Sequence, residues 1–326
     1  MNYLIFGGNG FVGNHLISLI YSKNLENCKI YNLDKSNSKN EFYTSIILDV
    51  RKKIDLKLSD TSNSIIFNLA AVHVTPGHPN NEYFETNVLG AENICTFARE
   101  NDITTIVFTS SIAPYGVSET IKTEESLPYP NTPYGISKLN AEYIHKIWQA
   151  EDPKRRRLII VRPGVIFGKG ESGNFTRLYN SLKKGTFFYP GRKDTLKAAV
   201  YVKDVVRILF ETTNDKTPEV ITYNLTYFPT YSIEEICNTI CKVTDIRKPK
   251  IIIPSILLQS VAKVLYLILR ITGRSFDGIH PQRVKKLMIS TNVSGEKLSK
   301  SKYHLKFSFR EALEDWFTDC KRQGLF

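Results

Sequence analysis

Short apolar and β-branched runs alternate with longer amphipathic segments through the first two thirds of the chain. Short apolar runs predict buried strands, and apolar residues spaced three and four apart predict helices. The predicted strands are residues 2–6, 29–33, 44–48, 64–69, 105–109, 158–162 and 220–225. Helices are predicted after Gly10 and at residues 85–100, 133–149 and 202–211. This alternation indicates an α/β protein with a Rossmann-type, doubly wound parallel sheet.

The alternation stops in two places, which suggests a second structural unit. A glycine-rich loop follows Pro163, and the chain beyond Pro229 is mostly helical and basic. We therefore predict a cofactor-binding domain from residues 1–165 and about 197–228. A smaller, mostly helical substrate domain would comprise about residues 166–196 together with 229–326.

The overall composition is that of a folded protein. Of 326 residues, 42% are hydrophobic and 23% are charged, which excludes disordered and collagen-like classes. The five cysteines form no C-x-x-C pair, as expected for reduced thiols, and the first residues do not resemble a signal peptide. We expect a cytoplasmic location.

Charge is distributed unevenly between the two halves of the chain. The net charge is +12, but residues 1–150 carry −3 and residues 151–326 carry +15. Such a basic half suggests contact with an anionic partner: nucleic acid, phospholipid or a phosphorylated substrate.

The first predicted strand leads directly into a glycine-rich turn, residues 7–13, followed by an apolar helix. Gly7 would allow the tight bend, Gly10 the approach of a pyrophosphate, and Gly13 the close packing of helix on strand. The helix N-terminus would supply N–H donors to phosphate oxygens. The cofactor-binding residues predicted from this turn are Gly7, Gly10, Phe11, Val12 and Gly13.

An acidic residue at the end of the second strand predicts which dinucleotide binds. Asp34 lies 21 residues after Gly13, where a carboxylate can accept from both ribose hydroxyls of NAD and would repel a 2′-phosphate. Lys35 beside it leaves NADP open. The predicted cofactor is NAD, and no metal is expected.

Three further residues suggest redox chemistry. Tyr134 and Lys138 are four residues apart on one predicted helix, so they share a face, and Ser111 follows the fifth predicted strand. A nearby ammonium would lower the pKa of the phenol towards neutrality, which would make Tyr134 a general base. Ser111 would bind the substrate oxygen that is oxidised.

Together with the glycine turn, this set resembles the extended short-chain dehydrogenase/reductase superfamily over nearly the whole chain. Further matching stretches are residues 68–71, 87–90, 109–111 and 162–168. The resemblance implies catalytic roles for Ser111, Tyr134 and Lys138, with both Tyr134 and Lys138 also contacting the cofactor. It also implies a homodimer formed through the helices that carry Asn87 and Tyr134. The additional cofactor contacts that it implies are Asp49, Val50, Leu69, Ala70, Ala71, Asn87, Pro163 and Val165.

Two activities within that superfamily remain open. Relatives that dehydrate sugars carry an acidic pair directly after the catalytic Ser or Thr, whereas this chain has Ile112 and Ala113. That leaves a sugar 4-epimerase, or a 4-keto-sugar reductase that consumes reduced cofactor. Residues 162–174, 197–202, 271–274 and 283–287 resemble bacterial epimerases that act on N-acetylglucosaminyl-diphospho-undecaprenol, which implies conversion of GlcNAc to GalNAc on the lipid carrier. A non-catalytic dinucleotide-binding regulator is the third hypothesis, but such proteins often lose the Tyr and Lys that are present here.

The substrate side is less well marked. In the family a basic residue near the position of Lys197 commonly binds the sugar diphosphate, and Asn174 and Arg283 are further candidates. Ser111 and His73 are predicted to line the sugar pocket. A role as ordinary surface residues is the alternative for the diphosphate candidates.

One nearly apolar stretch, residues 255–271, bears a single polar stripe. Spanning a bilayer takes roughly 20 apolar residues, and this stretch is shorter. It is either a core helix or an interfacial helix that would contact the membrane peripherally. The densest basic run, residues 154–157, lacks any accompanying nucleic-acid module, so no nucleic-acid partner is expected.

Overall fold

The strands form one large sheet and three small ladders in a computed structural model that describes residues 1–38, 42–58, 61, 63–74, 77–260 and 288–322. The large sheet consists of β1 (Asn2–Phe6), β2 (Lys29–Asp34), β3 (Thr44–Ile47), β4 (Ser64–Asn68), β5 (Thr105–Thr109), β7 (Arg157–Pro163) and β11 (Val220–Leu225). The short strands are β6 (Ser118–Lys122), β8 (Val165–Phe167), β9 (Tyr189–Pro190), β10 (Ala199–Tyr201), β12 (Ile252–Ile253) and β13 (Thr291–Val293).

The large sheet is parallel throughout, with the order β11-β7-β5-β4-β1-β2-β3. The order in which strands are added reverses at β1: β2 and β3 lie on one side of it, and β4 and the later strands lie on the other. In doubly wound sheets, ligands bind beyond the carboxyl ends of the strands at this reversal. The predicted fold class is confirmed, and each predicted sheet strand agrees with the structure to within one residue at either end.

Helices cover both faces of the sheet. Among the described residues, the helices are α1 (Phe11–Ser22), α2 (Asn80–Phe84), α3 (Gly90–Glu100), α4 (Pro133–Ala150), α5 (Asn174–Lys183), α6 (Val202–Glu211), α7 (Ile233–Thr244), α8 (Glu296–Ser299) and α9 (Phe309–Lys321). A π-helical turn, Glu85–Leu89, joins α2 to α3, and a 3₁₀ turn, Ala113–Tyr115, follows β5.

Alternation along the strands divides the apolar core into two layers. Ile5 and Phe67 face the layer that contains α1 and α6, while Leu4 and Ile66 face the layer that contains α3 and α4. Every residue of β4 and β7 is buried, as expected for central strands covered on both faces. The strands are therefore held rigidly, and their carboxyl ends form a fixed edge for a site.

The three ladders, β8–β10, β9–β12 and β6–β13, were not predicted. Their strands have two to five residues, too few to show a period, and each pairs with a segment distant along the chain. Beyond Pro229, where mostly helical structure was predicted, α7 and α9 are helices. The division into two domains stays a prediction.

None of the described helices combines the length and the apolarity needed to span a bilayer. Of the predicted helix at 255–271, residues 255–260 are helical and the rest lies outside the described residues. Within that described part, the side chain of Ile256 is 80% exposed, and Leu257 is 55% exposed. Ile256 and Leu257 therefore do not lie in the apolar core.

Candidate active site

The glycine turn brings the start of α1 against the end of β1. Gly7 has a positive φ of +80°, a conformation that favours glycine, and its N–H donates to the carbonyl of Leu33 on β2. A Cβ on Gly13 would lie 2.6 Å from the carbonyl oxygen of Gly7 and 2.6 Å from Cα of Gly8. The absence of that carbon therefore lets the helix approach the strand.

The N-terminus of α1 is suited to a phosphate group. Gly10 occupies the N-cap position, and no side chain caps the first turn. The unpaired N–H groups of that turn carry the positive end of the helix dipole. Neither a capping side chain nor a Cβ at Gly10 would obstruct a pyrophosphate, so the residues present fit a dinucleotide.

Asp34 lies beside this turn at the end of β2. One carboxylate oxygen accepts from the N–H of Asn9 at 3.1 Å, and the other accepts from the N–H and the hydroxyl of Ser36, both at 3.1 Å. These bonds orient the carboxylate next to the turn, where it can accept from ribose hydroxyls and would repel a 2′-phosphate. Lys35 is exposed beside it.

Replacing Gly13 with Ala is expected to weaken NAD binding by at least about a hundredfold, because the added methyl cannot be placed without separating α1 from β1. Ser18→Ala, on the exposed side of the same helix, is the matched control and should bind NAD as the wild type does. The dissociation constant from isothermal titration calorimetry is the measurement. Unchanged affinity in a folded Gly13→Ala protein would contradict this account of the turn.

The other predicted cofactor residues lie at the same edge of the sheet. Val50 is buried after β3, with its carbonyl accepting from the amide of Asn93, and Asp49 forms a salt bridge with Arg51 that lowers the pKa of the carboxyl. Leu69 to Ala71 follow β4. Pro163 ends β7, and Val165 begins β8.

The side chain of Asn87 forms hydrogen bonds with other residues of the protein. Its amide oxygen accepts from the N–H of Val72 at 2.9 Å, and its NH₂ donates to the carbonyl of Val72 and to the hydroxyl of Ser137. The side chain thus ties the loop after β4 to α4. Its predicted contact with the cofactor stays a prediction.

The helix α4, which carries the predicted catalytic residues Tyr134 and Lys138, is positioned by its first turn. The hydroxyl of Thr132 accepts from the N–H of Gly135 at 3.1 Å, and Pro133 occupies the first helical position. A Cβ on Gly135 would lie 2.7 Å from the carbonyl oxygen of Ala113. Glycine at this position therefore lets α4 approach the 3₁₀ turn directly after Ser111.

That approach brings Tyr134 and Ser111 together. The Ser111 hydroxyl lowers the pKa of the Tyr134 phenol, but burial has the larger effect and raises it. The net direction is opposite to that expected from the Tyr-x-x-x-Lys spacing. The physical reason is desolvation, since a phenolate in a buried site loses its hydration.

Lys138 is also buried, being 1% exposed, and its ammonium lies 4.4 Å from the centre of the Phe108 ring. Burial lowers the pKa of Lys138 to about 7, and the charge of Glu142 opposes this effect. Burial therefore disfavours both the phenolate of Tyr134 and the ammonium of Lys138, so either charged form would be stabilised by an opposite charge nearby.

A buried charged network, which was not predicted from the sequence, lies behind the predicted catalytic residues. Glu142, one turn after Lys138, accepts from the Ser110 hydroxyl at 2.6 Å and from two nitrogens of Arg162 at 2.9 and 2.6 Å. Arg162 also donates to the Tyr115 hydroxyl at 2.5 Å, which in turn donates to Asn224. The network joins α4, β5, β7 and β11.

The predicted substrate residues are placed in different surroundings. His73 follows β4, and burial and the charge of Lys138 lower the pKa of its imidazole. Asn174 is exposed at the start of α5, with its amide oxygen accepting from Arg177. The Lys197 ammonium donates to the carbonyl of Ile289 at 2.8 Å, and burial lowers its pKa to about 8. Arg283 lies outside the described residues.

Fold and site together define an NAD-dependent enzyme of the short-chain dehydrogenase/reductase type. A sequence profile described as the NAD dependent epimerase/dehydratase family matches residues 3–225, and the chain belongs to this family.

One curated relative matches nearly the full length. The chain is 28% identical over 315 residues to the N-acetyl-alpha-D-glucosaminyl-diphospho-ditrans,octacis-undecaprenol 4-epimerase of Escherichia coli O157:H7, covering 96% of this chain and 93% of that protein.

Solved structures with the same fold include two from Bacillus cereus. The UDP-N-acetylglucosamine 4-epimerase is 18% identical with a TM-score of 0.71, covering 98% of this chain and 99% of its own. The UDP-glucuronic acid 4-epimerase in complex with NAD is 17% identical with a TM-score of 0.71, covering 99% of both chains. These similarities support the fold.

Proposed function

We propose that the chain is an NAD-dependent 4-epimerase of a diphosphate-linked N-acetylhexosamine, interconverting the GlcNAc and GalNAc forms during surface polysaccharide synthesis. The observation that carries this proposal is the Ser111 hydroxyl close enough to Tyr134 to affect the pKa of its phenol, with Lys138 one turn further along α4. Ile112 and Ala113 follow Ser111 where a dehydratase has acidic groups. The full-length similarity to an epimerase supports the same activity.

In this mechanism Tyr134 accepts the proton of the sugar C4 hydroxyl, and Ser111 orients that oxygen by a hydrogen bond. When bound, NAD supplies the nicotinamide that accepts hydride from C4 and returns it. Lys138 stabilises the phenolate by its positive charge. Return of the proton from Tyr134 to the sugar oxygen regenerates the site, so no net oxidation occurs.

The residues that would hold NAD are those of the glycine turn, Asp34, and the predicted cofactor residues at the carboxyl edge of the sheet, of which Asp49 is the first along the chain and Val165 the last. For the diphosphate, Lys197 and Asn174 are the described candidates. The Lys197 ammonium donates to the carbonyl of Ile289, and its positive charge is what would attract an anion. A lysine here acts as a point charge and lacks the bidentate geometry of arginine.

The lipid-linked substrate is favoured over the free nucleotide sugar, because the relative matched along 93% of its length is named for an undecaprenyl diphosphate. Such a substrate would require a peripheral position at the inner face of the cell membrane. A homodimer is supported by the exposed apolar side chains of Ile136, Tyr143 and Ile147, which lie along one side of α4.

The test is to incubate the purified chain separately with UDP-GlcNAc and with GlcNAc-diphospho-undecaprenol and to resolve the product sugars. We expect GalNAc from the lipid-linked substrate without added cofactor, together with NAD retained through purification. Turnover of the UDP sugar alone would contradict the lipid-linked assignment. No epimerisation of either would contradict the proposal as a whole.

A 4-keto-sugar reductase is the second candidate, favoured by a 24% identical relative that is named GDP-6-deoxy-D-talose 4-dehydrogenase and covers 75% of this chain. The same three catalytic residues would serve. Stoichiometric consumption of NADH or NADPH with a 4-keto sugar would identify it, whereas an epimerase consumes neither.

A further inference from the structure

An exposed edge of the molecule combines aliphatic and cationic side chains. We define the 247–257 edge by its exposed residues: Arg247, Lys248, Lys250, Ile251, Ile252, Ile256 and Leu257. The four aliphatic side chains are 63%, 47%, 80% and 55% exposed in that order. Exposed aliphatic side chains this close together along the chain indicate an interaction site.

The edge is an ordered part of the fold. β12 pairs with β9, and the N–H groups of Tyr189 and Gly191 donate to the carbonyls of Ile251 and Ile253, each at 2.8 Å. This pairing fixes the backbone that presents the aliphatic side chains.

The charge around the 247–257 edge is mostly positive. From Lys242 to Leu257 the chain carries four cations and a single carboxylate, Asp245. Arg247, Lys248 and Lys250 stand directly before the aliphatic residues. An anionic bilayer surface accommodates both types at once, because aliphatic side chains enter the acyl boundary while cations remain among the headgroups. A nucleic acid would leave the aliphatic side chains unused.

The edge also adjoins the substrate side of the protein. A cavity of about 310 Å³ is lined by Gly191, Arg192 and Ile289, among others. The N–H of Gly191 donates a hydrogen bond to the carbonyl of Ile253. The carbonyl of Ile289 accepts one from Lys197, the candidate diphosphate residue. The apolar edge and the candidate diphosphate residue are thus connected through the wall of one cavity.

We propose that the 247–257 edge docks the protein on an anionic phospholipid surface. The proposal deepens the lipid-linked form of the proposed function and rests on it for its biological use. Docking on this edge would place the Lys197 side of the molecule towards the headgroups, where a lipid-linked diphosphate lies.

The experiment is co-sedimentation of the purified full chain with vesicles containing phosphatidylglycerol, compared with vesicles of phosphatidylcholine alone. Two variants test the edge: Ile256→Ser/Leu257→Ser removes apolar area, and Arg247→Gln/Lys248→Gln/Lys250→Gln removes charge. The matched controls are Ile47→Ser/Ile121→Ser, two isoleucines that are 65% and 53% exposed elsewhere, and Lys52→Gln/Lys53→Gln/Lys57→Gln.

We expect the wild type to bind the anionic vesicles and to be released by high salt. The apolar variant should bind at least about tenfold more weakly and the charge variant about a hundredfold more weakly, with both controls within about twofold of wild type. No vesicle binding by the wild type, or equal binding by edge and control variants, would overturn the proposal. A drop in the light-scattering mass of the edge variants, without vesicle binding by the wild type, would assign the edge to contact between copies of the chain and would equally overturn it.

This outcome is separable from the proposed function. Vesicle binding needs no turnover, and epimerisation of detergent-dispersed substrate needs no vesicle. Loss of docking with full epimerase activity in detergent would be expected for the edge variants. Docking without epimerisation by the wild type would contradict the proposed function alone.

Discussion

Tyr134→Phe is expected to lower kcat for sugar epimerisation by about 10²- to 10⁴-fold, the range that a positioned proton-transfer group contributes. The hydroxyl is the only group removed. The ring remains to fill the same space beside Tyr83, whose ring centroid is 6.5 Å away. NAD binding should therefore change much less than kcat.

The control is Tyr143→Phe, on the same helix but 50% exposed to solvent, which should retain wild-type kcat. Steady-state rates and the NAD dissociation constant, measured on both variants, separate chemistry from binding. More than a tenth of wild-type kcat in Tyr134→Phe would exclude this residue as the general base.

Glu142→Gln is expected to reduce the free energy of unfolding by about 3–5 kcal/mol, because it leaves the buried guanidinium of Arg162 without its counter-charge. The Glu142 side chain is fully buried, and that of Arg162 is 6% exposed, so water cannot compensate. The exposed pair of Arg310 and Glu314 provides the control, since Glu314→Gln should cost less than about 1 kcal/mol. Urea denaturation of the three proteins is the measurement.

The double variant Glu142→Gln/Arg162→Met tests the cause of that loss. Removing both charges eliminates the uncompensated guanidinium, so the double variant should regain at least about half of the stability lost in the single variant. A double variant as unstable as Glu142→Gln would show that the destabilisation arises from lost packing and not from an unpaired charge.

The same substitution should shift the pH profile. Glu142 raises the pKa of Lys138 against the lowering effect of burial, so its removal lowers that pKa below about 7. Because the ammonium stabilises the phenolate, the alkaline fall in kcat/KM should move to lower pH in Glu142→Gln. Glu314→Gln should leave the profile unchanged. An unshifted alkaline limb in a folded Glu142→Gln protein would contradict the electrostatic role of this carboxylate.

As pH rises, the loss of the proton from Lys138 affects stability and activity in opposite directions. The folded-state pKa of Lys138 lies near 7 and its unfolded value near 10.5, so between these limits the unfolded chain binds a proton that the folded chain does not. The contribution of Lys138 therefore makes the protein more stable as pH rises through that window. The charged lysine that favours catalysis is the form that folding disfavours.

The large sheet was predictable from local pattern because each strand is a short buried run bounded by polar residues. Residues 105–109 and 220–225 agree with β5 and β11 at both ends. The short ladders were not predictable, since Ile252 and Ile253 become a strand only by pairing with Tyr189 and Pro190, about 60 residues earlier. Local propensity contains no information about that partner.

For the site, the candidate residues could be predicted from the sequence, because the glycine turn and the Tyr-x-x-x-Lys spacing depend on neighbours within one turn. Glu142, four residues after Lys138, could have been found from the same helical spacing. Its partner Arg162 could not, because the two meet only when β7 lies beside β5 beneath α4.

The sequence by itself thus determined the fold class, and it predicted the dinucleotide turn and the set of Ser111, Tyr134 and Lys138. Tertiary structure alone decided their electrostatics. Spacing predicted a lowered pKa for Tyr134, but burial raises it, and burial also lowers the pKa of Lys138. Desolvation depends on everything packed around a group, whereas spacing along a helix reports only one neighbour.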